Sequence, residues 1–265
     1  MSMHKHTLLI LGCGWLGSRV AELAIARGWK VTATLRNPEK AARLQAMGCQ
    51  VVLLDFDKPQ DFEGEFKEVD FVLNSIPATK RIEMSAVARR FDNLGSYLNT
   101  IKYNRQIFLS SIGIYPNRSG VLTEQYADEL DEKLLLAEEK MLTFPHTSVF
   151  RLGGLMGEDR ILGKYFQNKI CTTGDERSNL IHQEDAARMI LQAFLHQKEL
   201  ASIYNVVSPE HPYKKDVIIS SAKKYGFELP ISFKSSQPVI DKVIDGSKLQ
   251  RELSYSFLFS DPLEF

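Results

Sequence analysis

The stretch LLILGCGWLGSRVAE, residues 8–22, sets Gly12, Gly14 and Gly17 between an apolar run and a helical repeat. A G-x-G-x-x-G spacing carries chemistry only in one order of elements, strand then turn then helix. That order is met. Thr7 to Leu11 is short, apolar and β-prone, as a strand buried on both faces is. Leu16, Val20, Leu23 and Ala24 then repeat at helical spacing, and Gly28 stands where a left-handed C-terminal cap belongs. In this setting Gly12 makes a tight turn, Gly14 lets the backbone approach a pyrophosphate, and Gly17 lets helix pack on strand. The free amides and positive end of a helix opening near Trp15 and Leu16 face the phosphates. The segment reads as a dinucleotide site built on Gly12, Gly14, Trp15, Leu16 and Gly17, rather than as a bare turn.

The end of the next strand speaks to the type of dinucleotide. NAD sites usually place a carboxylate there, about 20 residues after the glycines, to bond the ribose hydroxyls. Here the chain reads Thr34-Leu35-Arg36-Asn37-Pro38, with no carboxylate. Arg36 instead offers a planar donor fork matched to a 2′-phosphate, so the expected cofactor is NADP, ahead of NAD. At the end of the third strand Asp55 and Phe56 are placed to meet the adenine, the carboxylate by hydrogen bond and the ring by edge contact. The plainer alternatives are a solvated surface arginine and a loop carboxylate at a turn.

The elements that must position these residues alternate along the chain. Strands are expected at 30–35, 49–56, 69–77, 105–111, 146–152 and 202–208, and helices at 39–48, 81–103, 123–142, 183–197 and 214–226. Strict alternation with short connections predicts an α/β fold with a doubly wound, mostly parallel Rossmann sheet. Residues 1–154 are expected to form the dinucleotide-binding domain. Residues 155–265 are expected to complete the sheet and to build most of the substrate cleft as a small C-terminal lobe.

Composition narrows the partners. Lysine plus arginine and aspartate plus glutamate are equal at 33 each, which gives no electrostatic case for nucleic acid or an anionic membrane. Cys13, Cys49 and Cys171 are scattered without metal-ligand spacing and read as free thiols of a reducing compartment, with no metal expected. No run of about 18 apolar residues occurs, and the opening MSMHKHTLLILG is too short in apolar residues for a signal segment. A cytoplasmic protein with a small-molecule substrate is expected.

Six segments now stand in one order: the glycine turn, FLSSIGIY (108–115), VFRLGGLMG (149–157), NLIHQEDAARMI (179–190), IYNVVSPE (203–210) and DGSKLQREL (245–253). In that order they resemble the extended or atypical, epimerase/dehydratase-like branch of the short-chain dehydrogenase/reductase superfamily over nearly the whole length. The shorter glycine spacing leans towards the atypical members. The resemblance implies three catalytic groups: a tyrosine that transfers a proton, a lysine four residues later that holds the nicotinamide ribose, and a serine that bonds the substrate oxygen. Ser111 matches the serine and Lys133 the lysine, which counts among the cofactor contacts as well.

The residue four before Lys133 is Glu129, where the resemblance calls for tyrosine. Glu129 and Lys133 read as an ordinary helix ion pair at i and i+4. Tyr126 lies seven residues before Lys133, about 10.5 Å along a helix, and reaches the site only if the helix starts after it and the loop folds inwards. Tyr115 reads as a wall of the substrate cleft, and His182, three residues before Asp185, as the organiser of a loop and helix start. Two classes of function follow. One is an NAD(P)-dependent oxidoreductase or epimerase acting on a hydroxyl or carbonyl of a small polar, nucleotide-sugar-like substrate, with Ser111, Lys133 and Tyr126 as its catalytic residues. The other is a catalytically silent NADP(H)-binding sensor.

Overall fold

The computed structural model describes residues 5–58, 68–79, 82–235 and 238–265. Strand β1 (Thr7–Leu11) is buried from Leu8 to Leu11 and turns through Gly12 into helix α1 (Trp15–Ala26), which buries Leu16, Gly17, Val20, Ala21 and Ala24. Gly28 takes φ +79° and returns its N–H to the Ile25 carbonyl, the left-handed closure its position predicts. Strand β2 (Lys30–Leu35) follows, then a short 3₁₀ turn, α2 (Ala41–Ala46), β3 (Gln50–Leu53), β4 (Glu68–Asn74), α3 (Met84–Leu98) and β5 (Lys102–Ser111). Beyond them come β6 (Gly120–Leu122), α4 (Glu132–Leu142), β7 (Thr147–Leu152), β8 (Gly154–Met156), α5 (Leu162–Phe166), β9 (Ile170–Cys171) and β10 (Leu180–His182). The chain closes with α6 (Gln183–Phe194), β11 (Ile203–Val206), α7 (Lys214–Tyr225), β12 (Ser232–Phe233), β13 (Lys242–Ile244) and α8 (Ser247–Leu253).

Seven strands form one sheet in the order β11-β7-β5-β4-β1-β2-β3. Strand β1 lies in parallel between β4 and β2, with Leu11 beside Asn74 and Ile10 beside Ala33. The strand order therefore reverses at β1, which makes the sheet doubly wound and opens a crevice beyond the carboxyl ends of β1 and β4. Helix α3 explains why one face of the sheet is sealed. Its Val87, Phe91, Leu94 and Leu98 share one stripe and pack with Leu9, Leu11, Val72, Phe108 and Met141.

The chain divides into two compact units, one of residues 1–114, 130–150 and 187–203, the other of residues 115–129, 151–186 and 204–265. The first holds β1 to β5, α1 to α4 and the core just described. The second contains paired short parallel strands, β6 with β13, β8 with β10 and β9 with β12. Its core includes Leu180, Val217 and Phe265. There the buried Asp185 carboxylate accepts bonds from the Tyr255 hydroxyl and the Leu258 and Phe259 amides, pinning the last turn of chain.

Several elements are shorter than their sequence predicts: α2 spans Ala41–Ala46 of the expected 39–48, α6 stops at Phe194, and β3 stops at Leu53, which leaves Asp55 and Phe56 in the loop after it. The helix expected over 81–103 runs from Met84 to Leu98, position 81 lying outside the described residues, and the chain re-enters the sheet by Lys102. The helix expected over 123–142 begins only at Glu132. Glu129 takes φ +50°, which no right-handed helix accommodates, and Asp131 turns its carboxylate onto the Leu134 amide as an N-cap.

Candidate functional site

The glycine turn is held in place by β2. Gly12 N–H donates to Thr34 Oγ1 at 2.9 Å and Cys13 N–H to the Thr34 carbonyl at 2.7 Å, with Thr34 fully buried beneath them. Gly12 adopts φ +73°, a backbone conformation that favours glycine, and a Cβ there would also crowd Ile76 Cδ1 at 2.7 Å and the Ser75 carbonyl at 3.3 Å. Gly17 lies against β1: a Cβ would come within 3.3 Å of Ile10 Cγ2 and 3.4 Å of Cys13 Sγ. Gly14 differs from both. Its φ of −98° suits any residue, and a Cβ would meet nothing closer than Gly12 O at 3.9 Å, so its backbone faces open space. It is the N-cap of α1, which has no side-chain cap and no acid in its first turn. Amides at the positive end of an uncapped helix, beside a backbone without a Cβ, fit a pyrophosphate. The buried Cys13 thiol adds no charge there, because burial pushes its pKa up to about 12.

The turn opens into a cleft of about 250 Å³ that brings Gly12, Gly14, Arg36, Asp55 and Phe56 together with Lys40, Asp57, Pro77 and Arg90. Arg36 reaches Asp57 Oδ2 at 2.6 Å and stands 3.9 Å from Asp55 Oδ1. Asp57 is gripped from the other side by Arg90, Nε at 2.6 Å and Nη2 at 3.0 Å, while Arg90 Nη1 donates to the Pro77 carbonyl at 2.7 Å. One buried arginine on α3 thereby ties the loop after β3 to the loop after β4. The Arg90 hydrogen bonds hold the Asp57 carboxyl below the usual carboxylate range. Phe56 lines the cleft but belongs to the core, edge-on to Tyr97 with ring centres 5.7 Å apart. Asp55 accepts the Asp57 amide at 3.1 Å. Asp57, Arg90 and Lys40 were not singled out from sequence. The signal for Arg90 was present, an arginine on the apolar stripe of α3, three residues after Val87, where a charge requires a partner.

Ser111 and Lys133 lie in the first unit outside the residues that line this cleft. Ser111 ends β5, at a carboxyl strand end, and its Oγ accepts the Gly113 N–H at 3.0 Å. Lys133 sits in the first turn of α4 with Nζ donating to the Ile82 carbonyl at 2.6 Å. Glu129 precedes α4 with φ +50°, so the expected helical i, i+4 arrangement with Lys133 does not form. Tyr126 lies in a loop of the second unit. Its hydroxyl accepts a bond from Arg118 Nη1 at 3.1 Å. Tyr115 is buried, donating to Asn205 Oδ1 at 2.7 Å and accepting from Arg151 at 2.9 Å. His182 acts as its spacing suggests: Nδ1 accepts the Glu184 amide in the first turn of α6, and the ring stacks on Phe259 at 3.8 Å. Among the described residues no group of histidine, cysteine or carboxylate side chains could hold a metal, and no helix is long and apolar enough to cross a membrane.

A glycine turn feeding an uncapped helix, at the point where a doubly wound sheet reverses its strand order, defines a dinucleotide-binding Rossmann protein. The sequence matches the NAD(P)H-binding family over residues 12–197, and the chain belongs to that family. It is 29% identical over 272 residues to Protein YeeZ of Escherichia coli strain K12, covering 96% of each chain. Its fold is shared with a functionally unknown conserved protein from Silicibacter pomeroyi DSS at 21% identity and TM-score 0.76, covering 98% of this chain and 97% of that one. It is likewise shared with UDP-glucuronic acid 4-epimerase from Bacillus cereus in complex with NAD, at 16% identity and TM-score 0.76, covering 97% and 96%. A short-chain dehydrogenase/reductase superfamily protein from Agrobacterium tumefaciens with bound NAD shares the fold too, at 16% identity and TM-score 0.73, covering 98% of this chain and 95% of that one.

Proposed function

We propose that the protein binds NADP(H) in the cleft of its first unit and works as an oxidoreductase or epimerase on a hydroxyl or carbonyl of a small polar substrate, nucleotide sugars being the first class to test. The observation that carries the cofactor reading is the open face of Gly14 beside the uncapped start of α1, with Arg36 and Lys40 lining the same cleft. The α1 amides hold the pyrophosphate, Arg36 and Lys40 meet a 2′-phosphate, and Asp55 and Phe56 border the adenine. Bound nicotinamide supplies a hydride donor or acceptor at its C4. Ser111 gives the enzyme reading its support: its Oγ accepts the Gly113 amide, which orients the hydroxyl and leaves its O–H to donate to a substrate oxygen. Lys133, anchored on the Ile82 carbonyl in the first turn of α4, is the cation that meets the nicotinamide ribose in this reading.

The sensor reading has its own observation. Glu129 replaces the superfamily tyrosine in a left-handed turn ahead of α4, and the Tyr126 hydroxyl is engaged by Arg118. A structure of the NADP complex separates the two. The enzyme reading expects Ser111 Oγ beside the nicotinamide C4 with room for a substrate oxygen between. Ser111 more than about 6 Å from C4, with apolar side chains filling the space, would leave the sensor.

A further inference from the structure

The pairing at the mouth of the cleft bears on which dinucleotide the protein accepts. Arg36 is 61% exposed at its side chain, and its guanidinium stands 2.6 Å from the Asp57 carboxylate. Asp57, by contrast, is fixed. Arg90, only 10% exposed, takes both of its oxygens in a two-pronged grip and is itself tied to the Pro77 carbonyl. The pair thus has a rigid carboxylate and a movable guanidinium, and both line the cleft.

A 2′-phosphate and the Asp57 carboxylate are rivals for one guanidinium. A dinucleotide with the phosphate must draw Arg36 away from Asp57, whose charge Arg90 continues to pair. One without the phosphate leaves the pair as it stands. We infer that Asp57, positioned by Arg90, is a specificity-setting residue that competes with the 2′-phosphate for Arg36 and so narrows the protein's preference for NADPH over NADH. The inference rests on the reading of Arg36 as the 2′-phosphate contact. It makes Asp57 a positioning residue for Arg36.

The test is a calorimetric double-mutant cycle on the full chain, with NADPH and NADH titrated into the wild type, Asp57→Asn, Arg36→Ala and the double variant. Asparagine keeps the shape of the aspartate and an oxygen for Arg90 while removing the charge. Asp57→Asn is expected to raise the ratio of NADPH to NADH affinity about five-fold, the size that releasing an exposed ion pair gives. In the Arg36→Ala background the same substitution is expected to leave the ratio unchanged, because the contested guanidinium is gone. A ratio that stays level or falls in Asp57→Asn overturns the inference. So does a rise that persists without Arg36, since that is plain charge repulsion. If Arg36→Ala alone leaves the ratio untouched, the underlying reading of Arg36 fails instead, so the two failures are told apart. Should the asparagine variant not fold, Asp57→Ser read in the same way decides the matter.

Discussion

At the scale of single residues, the three glycines show three distinct constraints that one motif compresses. Gly12 is fixed by a positive φ and by Ile76, Gly17 by β1, and Gly14 by nothing inside the protein. With nothing beside it, the Gly14 backbone leaves room for a ligand to approach. Ser111 is the equivalent for chemistry, a strand-end hydroxyl oriented by Gly113. On the enzyme reading, Ser111→Ala lowers turnover by one to two orders of magnitude, about 1.4 to 2.7 kcal/mol, with cofactor affinity barely changed. Tyr126→Phe in the same assay assigns the proton: a comparable loss means the loop tyrosine delivers it, full activity means another group or water does. Turnover unchanged in Ser111→Ala contradicts that role for the serine. The glycines and Arg36 were legible because their signals lie within one local strand-helix-strand run, residues 7–36. The Asp57–Arg90 clamp was not, because its partners stand on different elements and only the folded chain sets a carboxylate after β3 against a guanidinium on α3.

At the scale of elements, β1 and β2 have the bounds that apolar and β-branched runs predict, since a strand buried on both faces leaves an uninterrupted signature. The two- and three-residue strands of the second unit carry no such signature. Gly120 to Leu122 becomes a strand because Lys242 to Ile244 lies beside it, a pairing across more than a hundred residues that no local pattern records. Helix α4 shows the opposite error, a stretch counted as helix that the left-handed Glu129 interrupts. Its true start is set by Asp131, and that start places Lys133 in the first turn, reaching the Ile82 carbonyl. Removing the cap with Asp131→Ala costs about 1 kcal/mol. In thermal unfolding that is a drop of about 2–4 °C. An unchanged midpoint would show that α4 does not depend on this cap.

At the scale of the whole molecule, two half-buried histidines make stability depend on acidity. Burial lowers the pKa of both His182 and His211 from the ordinary 6.5, against weaker opposing effects of Asp185 on the first and the Ser178 backbone on the second. Well above 6.5 both are neutral in folded and unfolded chains, and their contribution is complete. As pH falls from there towards the depressed folded values, the unfolded chain takes up protons first, so stability declines. Melting midpoints at about pH 7.5 and 5.5 are expected to be lower at the acid end, with part of the difference lost in His182→Gln. This window lies above the ordinary carboxylate range, so the lowered Asp57 and Asp245 do not enter it. A midpoint that is level or higher at the acid end would contradict it.

The central claim is that the glycine turn and its cleft hold NADP(H), and Gly14→Val tests it most directly. Gly14 has an ordinary φ and open space at its Cβ, so the variant is expected to fold and melt as the wild type does. The new side chain occupies the space that the pyrophosphate needs. Calorimetry is expected to show the wild type binding NADPH more tightly than NADH, and a folded Gly14→Val binding neither. A folded variant that binds NADPH as the wild type does would contradict the account.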